Sequence, residues 1–273
     1  MQTCDLLSID DVSIKTAEIN KGSHGIYIPI RSKSRGIIMI QTPKMFTPFG
    51  ASSFRKAETL AEGKFPRYDV RLSLDTNDAK IAKLLEYLTA LDNLVCTTFA
   101  ENKELLQFLN MKDKNKKTGK SKTVTEILED LENNKYVSIV KPNDKYPALF
   151  KINIGRNAQT NVIDTFCQNG NEPVQLNDDN IDQIFHKAMR CKCVFVISHI
   201  WILSNRFGVT LKLKRVKLYP QNPITYAFVP DEDDEETTTN PNQMDENDEE
   251  AVGTNEPNDA SEYDEYAENY NED

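Results

Sequence analysis

The residues of this 273-residue chain that could bind a metal or activate a nucleophile are few and poorly spaced for either role. Cys191, Cys193 and His199 follow a C-x-C-x5-H pattern along one predicted strand, which lacks zinc-finger spacing and favours core cysteines. His24 and His186 lie near no serine or cysteine in a nucleophile motif, and no carboxylate cluster suggests metal-assisted hydrolysis. The sequence therefore predicts a protein that is not an enzyme and that uses no metal and no cofactor.

A lysine-rich stretch in the middle of the chain contains a motif, TGKSKT, with a superficial likeness to a phosphate-binding loop. The first glycine of that pattern would fall at Lys114, and no buried strand precedes it, so the motif is rejected. The stretch KDKNKKTGKSK holds six lysines in eleven residues and no apolar side chain, which predicts an exposed loop over 111–123. Such a loop is either solvated without a partner, a flexible phosphate contact or a nuclear-entry signal.

The sequence does contain one recurring combination with a known chemistry: positively charged side chains interleaved with aromatic ones on predicted strands. Cations neutralise phosphates and planar rings stack on bases, and single-strand binding uses both. Core packing is the simpler interpretation of any one phenylalanine, and Trp201 lies on a strand that could be wholly buried, so the prediction depends on the whole set. No segment resembles a recognition helix, so we do not expect duplex reading in the major groove. The candidate nucleic-acid-binding residues are Lys44, Phe46, Phe49, Arg55, Lys56, Arg67, Arg71, Trp201, Phe207, Lys212, Lys214, Arg215 and Lys217.

A mainly β domain must position these residues. The clearest strand is PRYDVRLSL, in which apolar and polar residues alternate from Tyr68 to Leu74. Helices are predicted at about 81–91 after the capping candidates Thr76 and Asn77, at 101–110, at 124–132 from a capping box of Thr123 and Glu126, and at 179–189. The remaining predicted strands are IYIPIR, GIIMIQTP, 136–140, 148–154, 161–167, CVFVISHIWIL and GVTLKLKRVKLY.

The last of these strands changes its apolar phase. Val209, Leu211 and Leu213 share one parity, whereas Val216 and Leu218 share the other. A phase change indicates a bulge or a sharp coil, which a small curled barrel needs. The pattern as a whole therefore predicts a β-rich barrel with helical insertions.

The acidic residues are concentrated at the end of the chain. Residues 231–273 contain 19 of the 43 acidic residues and none of the 33 basic residues, so residues 1–230 carry a net charge near +9 and the tail one near −19. A segment so charged and so poor in apolar residues should be disordered. The tail is either a solubilising appendage or a tethered polyanion that competes for the cationic surface or docks on basic partners.

Three features predict the compartment. The start MQTCDLLSIDD lacks the pattern of a signal peptide, and the longest apolar stretch, 194–203, is about half a membrane span. Five cysteines form no pattern of paired disulfides, which favours a reducing environment. We therefore expect a soluble protein that is not secreted and does not engage membranes.

Three segments resemble marks of a known family: IQTPKMFTPFGASSF at 40–54, LTALDNLV at 88–95 and IWILSNRFGVTLKLKRVKL at 200–218. Their order and spacing are similar to those of the single-stranded DNA-binding proteins of nucleocytoplasmic large DNA viruses, which are related to a podoviral phage replication protein. The resemblance implies an OB-fold-like five-stranded barrel with helical insertions over 1–230, and a disordered acidic tail over 231–273.

The same resemblance implies a function. The protein would coat single-stranded DNA without sequence specificity during viral DNA replication, recombination and repair, in the host cytoplasm at viral replication sites or in the nucleus. Its tail would cover the DNA site and would contact a DNA polymerase or other replication proteins. The oligomeric state stays open, a homodimer included. The alternative is a chaperone of histones or other basic proteins that works through the tail.

Overall fold

The computed structural model describes residues 2–3, 6–19, 26–53, 56–111, 121–157 and 159–220. Arg55, most of the lysine-rich loop and the whole acidic tail lie outside the described residues. Within the described residues, fifteen strands are linked by hydrogen bonding into one sheet, and the mainly β prediction is confirmed. The strands are β1 (Gln2–Thr3), β2 (Val12–Ile14), β3 (Glu18–Ile19), β4 (Ile26–Ser32), β5 (Ile38–Gln41), β6 (Met45–Thr47), β7 (Ala51–Ser52), β8 (Tyr68–Ser73), β9 (Tyr136–Val137), β10 (Val140–Lys141), β11 (Leu149–Ile154), β12 (Phe166–Asn169), β13 (Glu172–Val174), β14 (Met189–Leu203) and β15 (Arg206–Tyr219).

Helices occupy the connections between these strands. They are α1 (Lys56–Ala61), α2 (Ala79–Glu101), α3 (Lys103–Phe108), α4 (Val124–Asn134) and α5 (Ile181–Ile184), with a 3₁₀ turn at Ile9–Asp11. The capping box of α4 is confirmed, because Thr123 and Glu126 cap each other's backbone N–H groups. The capping prediction for α2 is wrong: Asp78 is its N-cap, and its side chain accepts a hydrogen bond from the Lys80 N–H. None of the helices in the described ranges is long and apolar enough to cross a membrane.

Two predicted elements differ from the structure at their ends. The helix predicted over 179–189 is only α5, because the backbone leaves the helical conformation at Phe185 (ψ 62°); after a positive φ of 62° at Ala188 the chain enters β14 at Met189. The strand predicted over 161–167 begins at Phe166, after a turn with a positive φ of 55° at Asn161. In both places, pairing with a distant strand decides where the observed strand begins: β14 at Met189 and β12 at Phe166.

The long hairpin of β14 and β15 is the centre of the sheet. Its partners along the other edge of β14 are β4, β5 and β6, whereas β15 pairs in parallel with β9, β11 and β12. Val194 lies opposite Arg215 and Phe195 lies opposite Leu213, so Lys214 is an extra residue on β15. This bulge explains the change of apolar phase and confirms that prediction.

Residues 45–52 form a bent segment that pairs with two strands at once. Its first part, β6, pairs with β14, and its second part, β7, pairs with β8. Gly50, at the bend, has a φ of +68°, and a Cβ there would overlap the backbone of Phe185 and His186. Only glycine fits this combination of positive φ and close approach. The path β14–β15–β11–β8 therefore returns to β14 through one short segment.

We expect Gly50→Ala to destabilise the protein by about 2 kcal/mol or more, because the new methyl group must displace main chain at a left-handed position. The measurement is the urea midpoint of unfolding. Gly36→Ala is the matched control, since Gly36 also has a positive φ but a Cβ there would meet nothing within 4 Å. Equal losses in the two variants would show that the close approach at Gly50 adds no stability.

A buried carboxylate on α2 joins the helix to the sheet. Asp92 is 8% exposed and accepts hydrogen bonds from the hydroxyls of Tyr136 and Ser138 and from the backbone N–H groups of Ile139 and Val140. Burial raises the pKa of Asp92, and the hydrogen bonds from Ser138 and Tyr136 oppose that rise. Residues 136–140, which include β9 and reach β10, thus take their position from one side chain of α2.

Candidate nucleic-acid interface

The outer face of β8, β11 and β15 carries a row of cations. Tyr68, Val70 and Leu72 of β8 are buried, so alternation places Arg71 on the outer face. Lys151 of β11 lies directly opposite Arg71 in the antiparallel pair. Two residues farther along β11, Asn153 lies opposite Lys212 of β15.

Aromatic rings accompany the cations at the bent segment. Phe49 is 51% exposed, and the guanidinium of Arg71 lies 5.9 Å from the centroid of its ring. Arg71 also forms an ion pair with Asp69, with 3.6 Å between Nε and the nearer carboxylate oxygen. The arginine is thus held beside an exposed ring, where both groups can be reached from solvent.

A second group of cations and rings lies on the other side of the bent segment. Phe46, 37% exposed, lies opposite Arg190 of β14, which in turn lies opposite Tyr219 of β15. Lys44 Nζ lies 4.2 Å from the centre of the Tyr219 ring, and Lys217 Nζ lies 5.8 Å from it. Strand pairing therefore assembles cations and rings from three separate parts of the chain.

The bulge in β15 brings further cations to the surface. Lys214 and Arg215 are both exposed, although a regular strand would place one of them in the core. The Arg215 guanidinium lies 5.6 Å from the centroid of the Phe166 ring, and Phe166 is exposed. Lys214 is 3.7 Å from Asp164, a carboxylate that offsets part of the local charge.

Together these groups form what we name the cation–aromatic surface, with the bent segment between its two parts. Most of its members alternate with buried neighbours on their strands, whereas Lys44 and Phe49 flank β6 outside the strands and Lys214 and Arg215 are adjacent at the bulge. They are Lys44, Phe46, Phe49, Arg71, Lys151, Phe166, Arg190, Lys192, Lys212, Lys214, Arg215, Lys217 and Tyr219.

Two aromatic candidates from the sequence are not part of this surface. Phe207 is 0% exposed and stacks on Phe99 of α2 with ring centroids 4.1 Å apart, so the prediction that it stacks on a base is wrong. Trp201 is 5% exposed and lies against Gly208, where a Cβ would come within 2.7 Å of the indole ring. Both rings are buried and so are not available at the cation–aromatic surface. No sequence pattern distinguished these two aromatic residues from the exposed ones.

Lys56 lies apart from the surface, and Arg55 lies outside the described residues. Lys56 at the start of α1 forms an ion pair with Asp182 and donates a hydrogen bond of 2.8 Å to the Asp178 carbonyl. Arg67 directly precedes β8 and is half-buried, and alternation with buried Tyr68 places it on the same side as Arg71, where it stays a candidate. Lys56 therefore stabilises the contact between α1 and the chain around α5.

Sequence reasoning missed Lys151, Phe166, Arg190 and Lys192. Each alternates with buried neighbours on its strand, so alternation could have placed them on the outer face. Their proximity to the other cations, however, depends on which strands pair and in what register.

The cysteines of β14 lie in the core, as predicted. Cys191 and Cys193 are 0% exposed, and their sulfur atoms are 3.8 Å apart. No group of three or more metal-ligating side chains occurs among the residues that the structure describes.

Comparisons with known proteins give distant structural likenesses. No family model matches the chain, and no curated protein sequence matches it. The chain is similar to the single-stranded DNA-binding protein from bacteriophage Enc34, at 12% identity and a TM-score of 0.35, over 80% of this chain and 96% of that chain. It is similar to the same phage protein in complex with single-stranded DNA, at 12% identity and a TM-score of 0.37, over 77% and 97%. A third similar structure is gp2.5, a single-stranded DNA-binding protein encoded by bacteriophage T7, at 11% identity and a TM-score of 0.42, over 70% and 98%.

These likenesses are weak in both sequence and superposition. The function is therefore inferred from the cation–aromatic surface itself.

Proposed function

We propose that the protein binds single-stranded DNA through the cation–aromatic surface, with little base preference, and that it is a binding protein rather than an enzyme. One observation carries the proposal: three cation–ring pairs, Arg71 with Phe49, Lys44 with Tyr219 and Arg215 with Phe166, lie at the surface of β8, β12, β15 and the bent segment. Cations spaced along a face neutralise successive phosphates, and exposed rings stack on bases that a duplex would hide.

We infer a five-stranded OB-type barrel. Its strands, in the order in which they pair around the barrel, are β14, β15, β11, β8 and the bent segment. Support comes from the pairing of that segment with both β14 and β8, and from Phe150 and Phe195, whose buried rings lie 5.9 Å apart between β11 and β14. Residues 1–230 would form this domain.

The test of the function is a titration of the full chain with labelled oligo-dT and with a duplex of equal length at near-physiological salt. We expect tighter binding of oligo-dT, because the rings can stack only on unpaired bases. Affinity for oligo-dT should also fall linearly with the logarithm of salt concentration. Equal affinity for the matched duplex would contradict the proposal.

We further propose that the acidic tail competes with DNA for this surface. The tail has a net charge near −19 and residues 1–230 one near +9, so the two attract each other at low salt. A tether of about 40 residues keeps the tail at an effective concentration on the order of millimolar. DNA, with its denser charge, would displace the tail and leave it free to engage basic partners such as a viral DNA polymerase during replication, recombination and repair.

Removal of residues 231–273 is expected to tighten oligo-dT binding most at low salt, since screening weakens the competition over a Debye length of about 8 Å at physiological salt. The measurement is affinity for oligo-dT of the full chain and of residues 1–230 across a salt series. Identical affinities at every salt concentration would mean that the tail only adds solubility. Retained DNA binding by residues 1–230 would also separate this function from that of a chaperone for histones or other basic proteins, which needs the tail.

A further inference from the structure

Two lysines lie directly opposite each other at the open end of the β14–β15 hairpin. Lys192 of β14 pairs with Lys217 of β15, and both side chains are half-buried on the outer face, since their neighbours Cys191 and Leu218 are buried. Opposite residues of an antiparallel pair have Cβ atoms about 4.5–5.5 Å apart, and like charges at such a pair destabilise the sheet. The hairpin thus holds two positive charges together although their repulsion lowers stability.

Two further cations lie beside this pair. Lys44, exposed just before β6, has its Nζ 4.2 Å from the centroid of the Tyr219 ring, and Lys217 Nζ lies 5.8 Å from the same centroid. Arg190 is exposed and lies directly opposite Tyr219. Positive charge from β14, β15 and the residue before β6 therefore meets around one ring. We call Lys44, Arg190, Lys192 and Lys217 the four-cation cluster.

A comparable like-charged pair on the same surface has a carboxylate beside it. Arg71 lies opposite Lys151, and Arg71 forms an ion pair with Asp69. Lys217 instead donates a hydrogen bond of 3.0 Å to the neutral amide oxygen of Asn171. Within the part of the chain that the structure describes, no member of the four-cation cluster forms an ion pair.

A phosphate group matches the charge and the spacing of this cluster. A phosphodiester shares one negative charge between two unesterified oxygens, so it can accept hydrogen bonds from two ammonium groups at once. Such charge-assisted hydrogen bonds are stronger than neutral ones, and lysine binds phosphate as a point charge. An anion between Lys192 and Lys217 would replace one repulsion by two attractions.

We propose that the four-cation cluster is a phosphate subsite, which holds one phosphate of the bound strand between Lys192 and Lys217 and which destabilises the free protein. The proposal rests on the proposed function and deepens it, because it names the residues that hold the backbone of the strand. It requires that one substitution have opposite effects on folding and on DNA binding, which a merely structural lysine would not show.

The first test is the variant Lys192→Gln in the full chain, at about 0.15 M salt. The Debye length there is about 8 Å, so the acidic tail is largely screened from the surface while the two closely spaced lysines still repel each other. We expect the urea midpoint of unfolding to rise by about 0.1–0.3 M, because the repulsion is removed. Affinity for labelled oligo-dT should fall about fivefold, because one phosphate contact is lost.

A double-mutant cycle shows whether the two lysines act as a pair. Lys217→Gln should raise the midpoint as Lys192→Gln does, and the double variant should gain no more than either single variant, since one substitution already removes the repulsion. Lys151→Gln is the matched control, because Lys151 also lies opposite a cation but Asp69 offsets the charge of that cation. It should lower oligo-dT affinity without raising the midpoint.

A second test uses sodium tripolyphosphate, which contains phosphates but no bases. We expect it to raise the urea midpoint of the unchanged chain above that in sodium chloride of equal ionic strength, because it binds the folded state. The rise should be smaller for Lys192→Gln. Tripolyphosphate should also displace labelled oligo-dT from the unchanged chain.

Four outcomes would overturn the subsite. They are a Lys192→Gln midpoint no higher than that of the unchanged chain, an equal gain from Lys151→Gln, an equal effect of tripolyphosphate on the unchanged chain and on Lys192→Gln, and unaltered oligo-dT affinity in Lys192→Gln. If tripolyphosphate stabilises the unchanged chain but oligo-dT gives no anisotropy change, single-strand binding itself is overturned, and with it the assignment of the subsite to DNA.

Discussion

Replacing Arg71, Arg215 and Lys217 together by glutamine is expected to lower affinity for oligo-dT by about two orders of magnitude near 0.1 M salt. Each phosphate contact with a single strand contributes about 0.7 to the slope of log affinity against log salt, so three lost contacts should lower that slope by roughly 2. All three side chains lie on the cation–aromatic surface, and two of them lie beside exposed rings. The measurement is a salt series of oligo-dT titrations.

The matched control removes the same charge elsewhere. Lys33, Lys80 and Lys103 are exposed and lie in a turn or on helices, away from the cation–aromatic surface. Their replacement by glutamine should leave the salt slope nearly unchanged, because a distant charge is screened. If the two triple variants lose affinity equally, binding follows net charge and the surface is not the site.

Asp92→Ala is expected to lower the free energy of unfolding by about 3 kcal/mol or more. The substitution leaves four donors without their acceptor: the hydroxyls of Tyr136 and Ser138 and the N–H groups of Ile139 and Val140. Each buried donor without a partner costs about 1–3 kcal/mol, although the chain around the site can relax. Urea unfolding of the full chain measures the loss.

Two further variants decide whether the acceptor is responsible. Asp92→Asn keeps one side-chain oxygen and should lose less stability than Asp92→Ala. Asp78→Ala removes an exposed capping carboxylate and should cost only about 1 kcal/mol. Equal losses for the alanine and asparagine variants at position 92 would contradict the role given to the hydrogen bonds.

Local patterns in the sequence determined several elements of the fold. The alternation in PRYDVRLSL predicts β8 with Tyr68 and Val70 buried, and the structure confirms it. The capping box at Thr123 and the phase change in the last strand are equally local, because they depend on neighbouring residues of one element. The separation of charge between residues 1–230 and the tail is likewise a property of the sequence alone.

The identity of the exposed rings was decided by the tertiary structure. Phe46 and Phe207 both lie on strands, but Phe207 is buried against α2, where it stacks on Phe99, whereas Phe46 is 37% exposed. Burial depends on what packs over a strand, and that partner is more than a hundred residues away along the chain. Local composition therefore could not separate a base-stacking candidate from a core residue.

The cation–aromatic surface also depends on the tertiary structure. Phe46, Arg190 and Tyr219 become neighbours because β6, β14 and β15 pair in one particular register. A shift of one residue would turn every side chain of a strand to the opposite face. The sequence by itself determined the types of residue and most of the strands, whereas long-range pairing across β14 and β15 decided which of those residues share a surface.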